Sequence, residues 1–344
     1  MKTTFKLTTL LLIVILIGAG KTTLAIEKTK KYHESWPSAG IESLQISNKF
    51  GEVKFVNTNA STVTIDVLVT VESTSESKAT DIINNIDIKI SKSGSVVHAE
   101  TTFENSFRGN NRFSIDYVIN VPSDKNLEVS NKYGNVVVGQ LTGKGSFDVQ
   151  YGSITAVSLK GISTKINLAY GKGNIDEAGN TEIEVSYSDI SMGTLGNLRL
   201  NSKYSNIEAD KAADIQTESR YDKFNFAEVV SLNADTKYTQ IRVGKLSRKL
   251  YIGAGYGGIK IEKISPDFES IDITNSYGQI YLGLGNLNYS LDAKCNYCGI
   301  DYPTDRYKGN RIKENTSIQL NGNIGSGGGK VRIDSRYGEI KLGE

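Results

Sequence analysis

The stretch Leu198-Arg-Leu-Asn-Ser-Lys-Tyr204-Ser-Asn-Ile207-Glu-Ala209 is followed by Ile215-Gln-Thr-Glu-Ser-Arg-Tyr221-Asp-Lys-Phe224-Asn-Phe226, and then by Leu232-Asn-Ala-Asp-Thr-Lys-Tyr238-Thr-Gln-Ile241-Arg-Val243. The three phrases share one pattern, and their tyrosines are 17 residues apart. A fixed period of this size marks an architecture in which each repeat buries its apolar face only by stacking on its neighbours.

Working outward, the same register picks out Tyr133, Tyr151, Tyr170 and Tyr187 upstream, then Tyr256 and Tyr277 downstream. Successive steps from Tyr133 are 18, 19, 17, 17, 17, 17, 18 and 21 residues. Tyr337 repeats the phrase near the C-terminus (Ser335-Arg-Tyr337-Gly-Glu-Ile340-Lys-Leu342), and Phe50 repeats it near the N-terminus (Asn48-Lys-Phe50-Gly-Glu-Val53-Lys-Phe55).

Counted from each tyrosine, positions +3 and +5 are almost always apolar, as in Ile190 and Met192 or Ile241 and Val243, and +8 is apolar in Leu141, Leu159, Leu195, Val229, Leu246 and Ile264. Alternation resumes at −6 and −4, as in Leu198 and Leu200. A period of two means strands with one face inward. The break after the tyrosine means a corner. The residue following the tyrosine is Gly at 134, 152, 171, 257, 278 and 338, which points to a positive φ there. Ser188, Ser205, Asp222 and Thr239 hold that place in the middle repeats.

The expected fold is all-β: a parallel β-solenoid (β-helix) of about 17–18 residues per coil, like residues stacked about 4.8 Å apart. It occupies 127–344, with a loop excursion at about 299–330 that includes the polar stretch 302–315. Residues 41–126 read as a longer-stranded N-terminal β cap continuous with the solenoid, with strands at 62–71, 86–91, 95–103 and 112–121 and one helix at 76–85. Residues 26–40 read as an extended leader.

Residues 1–25 carry Lys2 and Lys6, an apolar run Leu10–Ile17 and the small-residue site Thr23-Leu24-Ala25, the pattern of an export signal cleaved after Ala25. The run is short for a bilayer span, and no later segment could cross a membrane. Within it, Gly18-Ala-Gly-Lys21-Thr22 imitates part of a phosphate-binding loop, but Ile15 stands where the first glycine is needed. Losing Lys2, Lys6 and Lys21 turns 40 basic against 38 acidic residues into 37 against 38. A near-neutral exported chain is a poor nucleic-acid binder.

Among candidate sites, the tyrosine column (Tyr133, Tyr151, Tyr170, Tyr187, Tyr204, Tyr221, Tyr238, Tyr256, Tyr277, Tyr337) reads first as a structural ladder. Strand parity puts its rings on the inward or corner side, and a carbohydrate-binding strip is the alternative. Beside it, basic residues recur at −1 (Lys203, Arg220, Lys237) and acidic ones at −3 (Glu184, Glu218, Asp235). These either neutralise one another on a solvated sheet or form a mixed-charge binding face.

A lyase or glycosidase on a β-helix would need carboxyls opposed across a cleft, and no long loop is there to build one. The only histidines, His33 and His98, make no triad. Cys295-Asn-Tyr-Cys298 lacks further ligands for zinc and the strand–helix setting of a thiol redox site. A local disulfide fits an exported chain; equally, Cys295 could simply fill the small −2 position. No cofactor or metal is implied.

The recurrent Tyr-Gly-x-Ile-x-Val phrase, the exported N-terminus and the early strands ending in Val121-Pro122 resemble the bacterial putative-adhesin family over most of residues 41–344. That resemblance implies a GIN-type head and a right-handed β-solenoid, and it supplies no catalytic residues. The functional expectation is a non-enzymatic cell-envelope protein, periplasmic, surface-bound or secreted, binding polysaccharide or another envelope protein through its outward faces. A polysaccharide-active enzyme and a scaffold polymerising end to end are the competing readings.

Overall fold

The computed structural model describes residues 26–104 and 112–343. The expected export signal and its cleavage site lie outside the described residues. The protein is all-β, its strands forming one continuous, nearly closed, barrel-like sheet around a shared apolar interior.

The period-two pattern becomes strands whose alternate residues are buried, as in Leu198–Lys203, where Leu198, Leu200 and Ser202 point inward. Each repeat gives one strand to each of two parallel ladders. Before the tyrosines, Asn126–Lys132, Gly145–Gln150, Thr164–Ala169, Thr181–Ser186 and Leu198–Lys203 pair in succession. After them, Val136–Leu141, Ser153–Leu159, Lys172–Ala178 and Asp189–Leu195 do the same. The long strands Asn206–Arg220, Lys223–Lys237 and Gln240–Gly255 run through both ladders. In-register pairing puts like on like, so Ile190, Ile207, Phe224, Ile241 and Ile259 form one buried column.

The corners differ from expectation. The tyrosine itself holds the positive φ, 52–62° at every repeat, and Phe50 does so at 66°. The residue after it is glycine for another reason: a Cβ at Gly152 would collide with the carbonyl oxygen of Gly134 in the neighbouring corner. In the middle repeats a polar relay replaces that close approach. Ser188 Oγ accepts from Gly171 N (3.0 Å), Ser205 Oγ from Ser188 N (3.2 Å), Asp222 Oδ1 from Ser205 N (2.7 Å) and Thr239 Oγ1 from Asp222 N (3.3 Å).

At the N-terminal end, Ser43–Lys49 pairs in parallel with Asn126–Lys132, and Val53–Asn57 with Val136–Leu141. The stretch expected as a leader is a strand, Ile26–Pro37, antiparallel to Thr62–Ser73 along its whole length. Thr62–Ser73 is in turn antiparallel to Arg112–Val121, and Ile86–Ser93 makes a hairpin with Val96–Phe103. The expected helix runs Glu76–Asn84, with Ser75 Oγ accepting from Lys78 N at its start and Ala79 and Ile83 buried. Capping of this kind satisfies an otherwise orphaned helix donor.

The C-terminal end is re-threaded. Gly329–Arg336 inserts between Ser270–Ser276 and Tyr289–Asn296, parallel to both. Ile340–Gly343 likewise lies between Ile280–Gly283 and Ile300–Asp301. The polar stretch expected as a loop contains the strand Tyr307–Glu314, which makes an antiparallel hairpin with Ser317–Ile324. Its Lys308, Arg311 and Lys313 are charges on an edge strand, where they guard against pairing with another chain.

Candidate binding surface

Each tyrosine stands at a corner, where its positive φ turns the ring away from the interior; of the inward and corner placements left open by parity, the inward one is overturned. Each of the eleven tyrosines in the column is 45–56% exposed. From one end the order is Phe50, Tyr133, Tyr151, Tyr170, Tyr187, Tyr204, Tyr221, Tyr238, Tyr256, Tyr277, Tyr337, Tyr297. Neighbouring centroids are 4.7–5.1 Å apart and the ring planes are within 1–17° of parallel. On the strand spacing the column is roughly 50 Å long.

A left-handed conformation costs a residue with a Cβ about 1–2 kcal/mol. Each offset stack returns about 0.5–1.5 kcal/mol beyond its area burial. The two are of one size, so stacking accounts for tyrosine where the backbone alone would favour Gly or Asn. The geometry also limits what the column can bind. Each ring face is covered by the next ring, so an interior tyrosine offers edges and hydroxyls rather than a platform on which a sugar could stack.

The expected charged rows lie beside this edge. Ser186, Lys203, Arg220 and Lys237 are successive in-register partners. So are Glu184, Asn201, Glu218 and Asp235. The expected mutual neutralisation is not what forms. Among the described residues no ion pair joins Lys203, Arg220 or Lys237 to Glu184, Glu218 or Asp235. Glu184 pairs instead with Lys165 (3.3 Å), and its carboxylate, helped by Glu182, holds the Lys165 ammonium above its usual pKa. Both sides of that pair are exposed, so it stabilises little. The two rows border a shallow groove of about 610 Å³ lined by Glu184, Asn201, Lys203, Glu218 and Arg220. Further along, Lys132 Nζ sits 5.2 Å from the Tyr133 centroid and 5.5 Å from that of Tyr151.

Cys295 and Cys298 occupy −2 and +1 of the last corner and are joined by a disulfide, with Cα atoms 5.5 Å apart. Other corners link the same two positions by hydrogen bonds: Ser219 Oγ donates to Asp222 Oδ2 (2.6 Å) and Ser335 Oγ to the Gly338 carbonyl (2.8 Å). The bridge is thus a covalent version of a recurring corner tie.

Two features escaped the sequence reading. Tyr297 belongs to the column, because insertion of the final repeat brings it onto Tyr337. On the other flank of the tyrosine edge, Arg242, Lys260, Tyr281 and Lys341 are in-register partners in one outward row. Position +4 was open to inspection in every repeat; only the re-threading brings Lys341 into that row. Among the described residues, no helix is long and apolar enough to cross a membrane, and no group of three or more His, Cys, Asp or Glu could hold a metal ion.

Several solved structures are similar. A putative adhesin from Parabacteroides distasonis is 10% identical with TM-score 0.40, covering 91% of this chain and 97% of its own. A putative adhesin from Bacteroides fragilis is 12% identical with TM-score 0.37, covering 69% and 96%. A putative lipid binding protein from Parabacteroides distasonis is 12% identical with TM-score 0.32, covering 73% and 96%. Likeness of this degree speaks to neither ligand nor activity. No protein-family model and no curated protein matches the chain.

Proposed function

We propose that the protein is an exported, non-enzymatic surface-binding element, adhesin-like, built as a right-handed parallel β-solenoid of about 17–18 residues per coil. In this reading residues 1–25 direct export and 41–126 cap one end. The rows beside the tyrosine edge hold a polysaccharide at the cell envelope. Parallel pairing at a register of one repeat supports the solenoid reading. The handedness follows the family resemblance.

The observation that carries the function is the basic row. Lys203, Arg220 and Lys237 stand in register, one strand spacing apart, with no carboxylate paired to them among the described residues. Like charges placed directly across a ladder destabilise it. Folding alone therefore does not favour the row, whereas a ligand offering acceptor oxygens does. Glu218 and Asp235 are neighbours on one face, while a glycosidase needs carboxyls on opposite sides of the scissile bond. Charged edge strands, Ile26–Pro37 with Lys28, Lys30 and Lys31 and Tyr307–Glu314 with its own cations, weigh against end-to-end polymerisation.

A glycan array probed with the purified protein and with the Lys203→Gln, Arg220→Gln, Lys237→Gln triple variant tests this. The expected result is binding of at least one glycan on the array that the triple variant loses. Binding untouched by the three replacements, or polysaccharide turnover abolished by Glu218→Gln, contradicts it.

A further inference from the structure

On the opposite flank of the tyrosine edge the structure assigns a second site, one for a linear acidic glycan. Its centre is the in-register row Arg242, Lys260, Tyr281, Lys341. Together with the neighbouring row, which holds Lys223, Gln240, Gly258 and Gln279, it lines a depression of about 530 Å³. The floor is backbone over the buried Phe224, Ile241, Ile259 and Ile280.

Three observations fit that ligand. Four cations converge on the depression: Lys223, Arg242, Lys260 and Lys341. Among the described residues two acids are ion-paired to them: Glu262, which bridges Arg242 Nε (3.3 Å) and Lys260 Nζ (3.1 Å), and Glu339, 4.0 Å from Lys341 Nζ. The balance is positive on a chain that is otherwise near neutral, and a positive recess raises the local concentration of anions.

Next, Asn225, Gln240 and Gln279 bring amides, each both donor and acceptor, suited to sugar hydroxyls. Gly258 leaves a notch between Gln240 and Gln279, its N–H donating to Gln240 Oε1 (3.2 Å). Last, Lys223, Arg242 and Lys260 lie on successive strands and Lys341 two strands beyond Lys260, so the cations are spaced by one or two steps of about 4.8 Å, each step close to the rise per sugar of an extended polysaccharide. Tyr281 carries Lys260 Nζ 5.8 Å from its centroid, which places aromatic and cationic groups side by side. An isolated anion would use one such cation. A chain with a carboxylate on successive sugars uses the row.

The test is titration calorimetry of the purified protein with polygalacturonate, with amylose as the neutral chain and phosphatidylglycerol vesicles as the lipid source of negative charge. The expected result is binding to polygalacturonate that weakens with salt, as screening requires, and none to amylose. Lys260→Gln with Lys341→Gln should weaken it about tenfold or more. Gly258→Gln should also weaken it by filling the notch without removing charge; its new Cβ meets only the movable end of Gln240. All titrations are made in the Lys203→Gln, Arg220→Gln, Lys237→Gln background, which removes the basic row proposed above, so that the heat reports this depression alone. No binding to polygalacturonate, equal binding of amylose, binding confined to vesicles, or full affinity in the Lys260/Lys341 variant overturns the assignment.

Discussion

The ring of Tyr337 lies flat on that of Tyr277, 4.9 Å between centroids and 12° from parallel. Tyr297, which precedes Tyr337 in the chain, stacks on its far side at 4.9 Å. The last repeat therefore fills a slot between two segments that come before it in sequence. Val331 and Ile333 are buried in that slot. Ending the chain after Gly328 should leave Tyr289–Asn296 and the hairpin beyond it without a partner on the column side. Limited proteolysis should then cut within residues 285–328 while residues 126–276 stay protected. Protection of both regions contradicts the threading.

The tyrosine column makes a graded prediction at Tyr204, where φ is 54° and rings stack on both sides at 4.9 Å. Tyr204→Phe keeps both stacks and should change stability by less than about 0.5 kcal/mol. Tyr204→Asn loses the stacks but eases the backbone, so about 1 kcal/mol should be lost. Tyr204→Val loses the stacks and puts a β-branched residue at positive φ, for about 3 kcal/mol or more. Urea midpoints should follow that order.

How far this was legible from sequence varies by feature. Tyr204, Tyr221 and Tyr238 at a strict 17-residue step carry the strand pattern on their own, because in-register stacking makes each repeat answer to the same packing. The outward turn of the rings was not legible. Parity counting assumes extended backbone, and a left-handed residue at Tyr204 reverses the face of its own side chain. Nor was the order Tyr277, Tyr337, Tyr297 legible, since a repeat's phase says which ladder it joins and not between which neighbours. The basic row at Lys203, Arg220 and Lys237 could be read from position −1, but its lack of carboxylate partners depends on side-chain reach across strands.

Asp222 is a buried carboxylate at the centre of the corner relay. It accepts from Ser202 Oγ (2.7 Å), Ser205 N (2.7 Å), Ser219 Oγ (2.6 Å) and Arg220 N (3.1 Å). Asp222→Ala strands these donors, two of them backbone, and should cost about 3 kcal/mol. The urea midpoint reads this directly. A loss below about 1 kcal/mol would mean that the relay does not help hold the corners together.

Tyr289 is fully buried, its hydroxyl without a hydrogen-bond partner among the described residues. Burial pushes its pKa up to about 12, against about 10 unfolded. The native state therefore keeps a proton that the unfolded chain releases. The stability tied to that proton is complete below pH 10 and falls as pH rises toward 12. Burial raises the pKa of Tyr117 in the same direction. Tyr289→Phe should be neutral, or more stable by up to about 1 kcal/mol, at pH 7. It should also lose less stability than the unmodified chain between pH 10 and 12, which urea titrations across that range measure.

The most direct test of the proposed stacked-repeat architecture is cysteine pairing within one outward row, in a background carrying Cys295→Ser and Cys298→Gly. Thr274 and Asp334 are in-register partners, and Asp334 in turn faces Lys294. Adjacent in-register strands lie within the Cα range of a disulfide, and positions two strands apart do not. Mild oxidation should join Thr274→Cys to Asp334→Cys and leave Thr274→Cys with Lys294→Cys reduced. A bridge between 274 and 294, with none between 274 and 334, would contradict the account.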